Sequence, residues 1–456
     1  MTKLERQERD FIKEMALHLA ENDIIENDLY KQYDVKRGLR NANGTGVLVG
    51  LTRVGTVHGY YVNEQGEKVP REGKLYYRGY SIEDLVKNCI RENRFGFEET
   101  TYLLLFGELP TKKQLEQFKT LLGAKRELPM GFARDMILTA PSKDIMNKLS
   151  RSILAMYSYD PKPDDTSVEN VLRQSINLIG YFPAFIAYGY QAKATFFDNK
   201  SLHLHYPIPE LGTAENILRM IRPTGEFTDM EAKILDLTLM IHAEHGGGNN
   251  SSFTTHLISS SGTDTYAAIS AAVGSLKGPK HGGANIKVIN MIRDLKAHVK
   301  DITNYKEVEK YLIKVLKGQA NDGSGLIYGL GHAIYTLSDP RAVVLKDMAE
   351  KLAAHEDKMD EFRLFKFIEE EGPRIIAKYK GVDSVMMPAN VDLYSGFVYS
   401  ALDISPDIAT PLFATARLSG WCAHRVEEII TGKKLMRPAY ESVQPKLEYV
   451  PLEERK

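Results

Sequence analysis

The sequence predicts a mainly helical fold of two domains, with one small β element near the N-terminus. Three observations carry this reading. Helix-start signatures recur along the chain. Strand patterning is confined to one stretch. The length of 456 residues exceeds what one hydrophobic core usually serves.

Taken in order, the first segment, Met1 to Asp23, is charged and contains acids. It resembles neither a secretory signal nor an acid-poor transit peptide. Residues 46–61 form the best strand candidate and are followed by a turn at Asn63-Glu-Gln-Gly66, which places the β element near residues 46–78. Ser81-Ile-Glu-Asp84, Thr111-Lys-Lys-Gln114 and Thr228-Asp-Met-Glu231 read as helix starts, each a capping hydroxyl with an acid or amide three residues on. Pro110 sits just before one of these, and Pro141 precedes a further candidate cap, Ser142. Ile234, Leu235, Leu237, Leu239, Met240 and Ile241 leave little polar face on the helix opened by Thr228, so it is expected to be buried. It is expected to stop at Gly246, which makes His245 its last side chain.

Ser251 to Thr265 keeps Phe253, Leu257 and Ile258 at helical spacing and reads as helix plus loop. A helix from Tyr266 to Leu276 is broken by Gly278-Pro279, and the next begins at Gly282-Gly283. Residues 283–402 hold charged amphipathic helices such as Tyr305 to Leu316 and Ala342 to Ala354, and an apolar stretch follows from Pro411 to Ala423. This pattern fits a chain that leaves one domain, builds a second and returns. No flexible linker marks the boundary, and no 20–50-residue repeat is visible.

Composition narrows the function. The net charge of −1 gives no global field to recruit nucleic acid or an anionic membrane. No run of about 18 apolar residues suggests a spanning helix. The two cysteines, Cys89 and Cys422, lie in apolar surroundings without metal or redox spacing. They read as reduced core thiols of a cytosolic protein.

Three histidines stand against glycine: His245 in His-Gly-Gly-Gly-Asn-Asn, His281 in Gly-Pro-Lys-His-Gly-Gly and His332 in Gly-Leu-Gly-His. Glycine allows close approach of a ligand and costs conformational entropy unless that is used. His281 is expected at a helix N-terminus, where the dipole disfavours imidazolium. A neutral histidine there can donate to a carbonyl becoming an enolate. Asp392, in a polar break before an apolar helix, reads either as a cap or as a general base at a helix mouth. Arg341 follows His332 by nine residues. Arg417 is embedded in an apolar segment with no acid nearby in sequence, so a bound carboxylate is a good partner. Gly44-Thr-Gly46-Val-Leu-Val-Gly50 lacks the preceding strand that a dinucleotide loop requires. The histidines could instead form a three-histidine zinc site, which would make the protein a zinc hydrolase.

His245-Gly-Gly-Gly-Asn-Asn-Ser251, Gly278-Pro-Lys-His-Gly-Gly-Ala-Asn285, Gly331-His-Ala-Ile-Tyr-Thr-Leu-Ser-Asp-Pro-Arg341 and Asn390-Val-Asp-Leu-Tyr-Ser-Gly396, in that order, resemble the signature of the citrate synthase family. Tyr77-Arg-Gly-Tyr80, Phe97-Glu-Glu through Gly107-Glu-Leu-Pro110, and Met436-Arg-Pro438 extend the likeness over roughly residues 70–440. The resemblance implies a large helical domain of residues 1–282 plus 403–456, a small domain of 283–402, and a cytoplasmic homodimer acting in the tricarboxylic acid cycle. It implies condensation of acetyl-CoA with oxaloacetate and water, without metal or cofactor, or the same chemistry on propionyl-CoA in a 2-methylcitrate synthase. By the same resemblance, Asp392 removes a methyl proton, His281 holds the thioester oxygen and His332 polarises the ketone and protonates the alkoxide. His245, Asn249, His332, Arg341 and Arg417 would hold oxaloacetate, with Arg437 contributed by the other subunit. Leu330, Gly331 and Asn390 would contact CoA. This chain departs from the family in having no basic residue within Ala333–Thr336, which leaves Lys378 or Lys380 as stand-ins for a CoA phosphate contact. Pro388-Ala-Asn390 also differs from the usual Pro-Asn pairing. The first 40 residues match nothing recognisable and would serve as an extra dimer-contact helix.

Overall fold

The computed structural model describes residues 3–455. Helices dominate, and the named strands form one antiparallel sheet in the order β1 (Gly55–Val62), β2 (Lys68–Tyr77), β3 (Tyr80–Ser81). The sheet starts nine residues later than the alternation suggested. The register explains this: Gly55 pairs with Tyr77, the last residue of β2, so β2 runs out before residues 46–54, and Gly46 keeps only an isolated bridge to Arg40. The turn after β1 forms as expected, with Gly66 N–H donating to Asn63 O at 2.9 Å.

Thr111 and Thr228 both make complete capping boxes, with Gln114 and Glu231 answering from three residues on. Ser81 precedes its helix, but its hydroxyl turns to Glu83 Oε2 at 3.0 Å and not to the backbone. The helix Ile145–Met156 is capped by Asp144, not Ser142. Ser142 Oγ accepts the Asp144 N–H at 3.2 Å, which leaves the carboxylate to reach Asn147 N–H at 3.0 Å. The helices Thr265–Lys277, Tyr305–Leu316 and Pro340–His355 match their expected spans within two residues.

The chain divides into two compact units. One joins the residues up to Val49 with those from Arg437 onward and includes the exposed helix Lys3–Asn22. The other, Gly50–Met436, holds the sheet and one continuous apolar core. Within it the helices Val168–Asp198 and Ala409–Thr431 are buried over most of their length. Among the described residues, no helix is long and apolar enough to cross a membrane. Cys89 and Cys422 are both free and buried.

Candidate active site

The helix Asp229–His242 stops three residues short of the expected place, and His245 lies in the loop beyond it. Tertiary donors end the helix early. Tyr77 Oη lies 3.1 Å from the carbonyls of Met240, Ile241 and Glu244, and Arg417 Nε–H donates to His242 O at 2.7 Å. With its last carbonyls satisfied from outside, the chain can turn away. His245 is buried, and its Nε2 has no partner. Burial, reinforced by Arg341, holds its pKa well below the usual imidazole range.

His332 packs against His245, with ring centroids 5.4 Å apart, and against Tyr335 at 4.6 Å. Its loop is pinned to the sheet. Gly73 N–H donates to Ser338 Oγ at 3.2 Å, and the Thr336 hydroxyl donates to Gly59 O. His332 Nδ1 accepts two backbone hydrogen bonds, from Ile334 at 3.0 Å and Tyr335 at 3.1 Å. That pattern sets the tautomer: the proton is on Nε2, the atom facing Arg341 Nη2 at 3.5 Å. Burial, with help from Arg341, brings the His332 pKa down to about 4, so the ring is a neutral Nε2–H donor at neutral pH.

Arg341 is buried and paired with Asp339, through Nε at 3.0 Å and Nη2 at 2.8 Å. Burial alone would lower its pKa, but Asp339 outweighs that and raises it. Asp339 also accepts the Val391 N–H at 3.1 Å, which ties the arginine to the helix Val391–Ala401. Arg417 differs. It is fully buried, its Nη1 and Nη2 have no partner, and burial brings its pKa down to about 10. It keeps its charge at neutral pH with the whole carboxylate-binding fork unoccupied. A buried charge left this way is costly unless a ligand completes it.

Asp392 is the second residue of the helix Val391–Ala401 and not part of a break before it. Asn390 takes the cap, with Oδ1 accepting the Asp392 N–H at 3.1 Å. Freed from capping, the Asp392 carboxylate stands in the field of Arg341, Asp339 and Arg417, and burial raises its pKa to about 6. The segment that carries it pairs with the one that carries His332. Gly331 N–H donates to Pro388 O at 2.8 Å, Asn390 N–H to Gly329 O at 2.9 Å, and Asn390 Nδ2 to Gly331 O at 2.9 Å. Leu330, Gly331 and Asn390 therefore share one junction beside the acid.

His281 sits in the turn before the helix Ala284–His298, two positions ahead of its cap, Gly283. It is thus farther from the helix end than expected. Its pKa falls to about 4 chiefly through burial, with Arg417 adding to the effect. Its Nε2 lies 3.2 Å from Ser251 Oγ, which also accepts the Trp421 Nε1–H at 3.0 Å. Ser251 has one proton and two acceptors in reach, His281 Nε2 and Asn249 Oδ1, the latter at 2.9 Å. Donation to His281 leaves that ring protonated at Nδ1, the tautomer that can donate to an oxyanion. Asn249 caps the helix Asn250–Ser259. Arg437 is exposed and belongs to the other compact unit.

Sequence reasoning named residues that gather here but missed what holds them: Asp339 on Arg341, Ser251 and Trp421 on His281, and a buried chain from Glu244 through His424 and His256 to Glu428. Only Asp339 had a visible signal, as the acid before Pro340-Arg341. Among the described residues, the one group with metal-ligand spacing is His256, His424 and Glu427, and not the three glycine-flanked histidines. His256 Nε2 and His424 Nδ1 are already hydrogen-bonded to each other at 3.0 Å.

Three neutral imidazoles, a carboxylate of raised pKa and an open guanidinium can move protons and hold a small anion. A family model described as citrate synthase, C-terminal domain, matches residues 43–439, so the chain belongs to the citrate synthase family, a family of condensing acyltransferases. A citrate synthase of Synechocystis is 33% identical over 84% of this chain and 89% of its own length. A 2-methylcitrate synthase of Corynebacterium glutamicum is 32% identical over 85% and 94%. The structure of a Thermotoga maritima citrate synthase aligns with a TM-score of 0.71 at 31% identity, covering 92% of this chain and 99% of that one. A Thermoplasma acidophilum citrate synthase, solved as a ternary complex with carboxymethyl coenzyme A and oxaloacetate, aligns with a TM-score of 0.74 at 26% identity, covering 92% and 99%.

Proposed function

We propose that this chain is a citrate synthase, with Asp392 as base, His281 as oxyanion donor and His332 as the acid at the ketone. The observation that carries this assignment is Asp392, a carboxylate with its pKa raised to about 6 that stands near Arg417, a cation with an empty fork. Asp392 takes a proton from the acetyl-CoA methyl group while His281 donates to the thioester oxygen. The enolate carbon attacks the oxaloacetate ketone, and His332 Nε2–H passes its proton to the new alkoxide. Water then splits the citryl thioester, releasing citrate and CoA, and the proton that Asp392 took passes through solvent to the depleted His332, which resets both groups. Arg417 and Arg341 hold oxaloacetate carboxylates, with His245 between them. No metal takes part, so turnover is expected to be unchanged by a chelator; a loss restored by zinc would support the hydrolase reading instead.

Residues 283–402 form the domain that closes on the site, carrying His332, Arg341 and Asp392. The CoA chain runs beside the Leu330–Asn390 junction. A cavity of about 340 Å³ next to it, lined by Thr336, Ser338, Met386, Pro388 and Ala389, supports this placement. The enzyme is a cytoplasmic homodimer in which Arg437 completes the partner's site. The helix Lys3–Asn22, with Leu4, Phe11, Ile12, Leu17 and Leu19 exposed, adds to the subunit contact.

The 2-methylcitrate synthase relatives make propionyl-CoA the second reading. One methylene is worth about 10- to 200-fold in discrimination. A thiol-release assay with oxaloacetate and either thioester decides it: kcat/KM is expected to favour acetyl-CoA, and a reversed preference assigns the second activity. Arg417→Gln is expected to raise the oxaloacetate KM by about 100-fold, since a buried charge-assisted pair contributes about 3 kcal/mol. Isothermal titration with oxaloacetate checks it. The pH profile follows from Asp392. Its base form is lost as pH falls through about 6, so kcat/KM is expected to drop about tenfold per unit below that value and to be flat just above it.

A further inference from the structure

Glu244 is a buried acid in the field of Arg417, a buried arginine with an empty fork, yet the two do not pair. Both side chains are fully buried. Glu244 Oε2 and Arg417 Nη1 and Nη2 have no hydrogen-bond partner, although Glu244 is the strongest opposite charge acting on Arg417. A buried carboxylate and a buried guanidinium in each other's field ordinarily form a bidentate pair. Such a pair would fill the fork that a substrate carboxylate needs.

Two features keep Glu244 back. The first is space. The carboxylate lies in a slot between Gly55 and Gly420, where a Cβ on either residue would overlap it. The second is a competing cation. Glu244 Oε1 accepts from His424 Nε2 at 3.0 Å and from the Gly246 N–H. His424 Nδ1 faces His256 Nε2 at 3.0 Å, and His256 Nδ1 faces Glu428 Oε2 at 2.8 Å. Two proton arrangements satisfy every contact with both outer acids ionised, with the charge on either His424 or His256. In the first, His424 carries two protons and donates to Glu244 and His256, while His256 carries one and donates to Glu428. The electrostatics select the first. Burial would lower the His424 pKa, but Glu244 and Glu427 raise it to about 9, whereas burial and His424 lower that of His256.

We infer that His424 is a positioning residue for the oxaloacetate site: its imidazolium holds Glu244 in the glycine slot, so that Arg417 stays open to a substrate carboxylate. The inference rests on the assignment of Arg417 as an oxaloacetate ligand. Nothing in the sequence pattern singled out His424, because its partners are about 170 to 180 residues away in the chain.

The test measures oxaloacetate KM and kcat in the full-length enzyme and in His424→Gln, Glu244→Gln, the double variant and Arg417→Gln. His424→Gln is expected to raise KM about tenfold or more, roughly 1.4 kcal/mol, with kcat at saturation within about threefold. Adding Glu244→Gln removes the competing charge and is expected to return KM to within about twofold of wild type. A raised KM that the double variant does not restore makes His424 a packing residue and overturns the inference. So does an unchanged KM in His424→Gln when Arg417→Gln raises it. An unchanged KM in Arg417→Gln overturns the Arg417 assignment instead.

If His424→Gln does not fold, titration replaces it. The ionisable groups facing His424 are Glu244 from the loop, Glu427 from its own helix, and His256 with Glu428 behind it; Arg417 and Tyr77 lie beyond Glu244. Glu244 and Glu427 are held low and His256 is pushed low, so between about pH 7.5 and 9.5 His424 is the shifted group that changes charge. Wild-type KM is then expected to rise through pH 9 and that of Glu244→Gln to stay level until Arg417 titrates. The same profile in both overturns the inference.

Discussion

Replacing Asp392 by asparagine is expected to lower turnover by about 10³- to 10⁴-fold while oxaloacetate binds as before. The magnitude follows from the size of the proton-transfer problem. A thioester α-proton has a pKa of about 20 and an ordinary carboxylate about 4, a gap on the order of 20 kcal/mol at about 1.4 kcal/mol per unit. Burial moves Asp392 to about 6, which removes only about 3 kcal/mol of that gap. Asparagine has no basic site, so the contribution of the base is lost outright. The fold does not suffer. The carboxylate is raised by burial, so its ionised form is disfavoured in the native state. Its contribution to stability is greatest at low pH, where it is protonated, and declines as pH rises through about 6. At pH 7 the asparagine variant is therefore expected to unfold at the same or a higher temperature than wild type, by calorimetry. Steady-state thiol release measures the turnover, and a wild-type rate would remove Asp392 from the mechanism.

His281→Ala is expected to lower kcat by about 10²- to 10³-fold, the usual loss for one oxyanion donor. The remaining gap between base and α-proton has to be met by a donor already in place at the oxygen, because a free enolate is too high in energy to accumulate. His281 fits because it is neutral: with its pKa brought down to about 4, it is an imidazole at neutral pH and offers an N–H to the oxygen as charge develops there. A donor matched to an enolate strengthens as charge develops, so the loss appears in kcat more than in substrate KM. Its orientation depends on Ser251 Oγ at 3.2 Å, held in turn by Trp421. An unchanged kcat in the variant would assign oxyanion stabilisation elsewhere.

The residues that gather at the candidate site were legible in the sequence because each lies in a local pattern. His245, His281 and His332 have glycine at their sides, Asp392 sits at a helix start, and Arg417 stands in an apolar run without an acid. The fold was legible for similar reasons. The Thr111 and Thr228 boxes are closed within four residues and formed as read. What failed depended on distant partners. Residues 46–54 alternate like a strand, but β2 ends opposite Gly55. The helix before His245 stops early because Tyr77 and Arg417 take its carbonyls from outside. His281 lost its helix-end position, yet it stays neutral through burial, a property of the assembled core. The Glu244–His424–His256–Glu428 chain joins three separate stretches, so no window of sequence could show it.

The central claim is that the methyl C–H bond of acetyl-CoA breaks at Asp392 to give an enolate held by His281. Methyl-deuterated acetyl-CoA tests it most directly in His281→Ala, where loss of the oxyanion donor makes C–H cleavage the slowest step. The account predicts a primary isotope effect well above one on kcat/KM for the thioester, larger than in wild type. A ratio of one in that variant would contradict it.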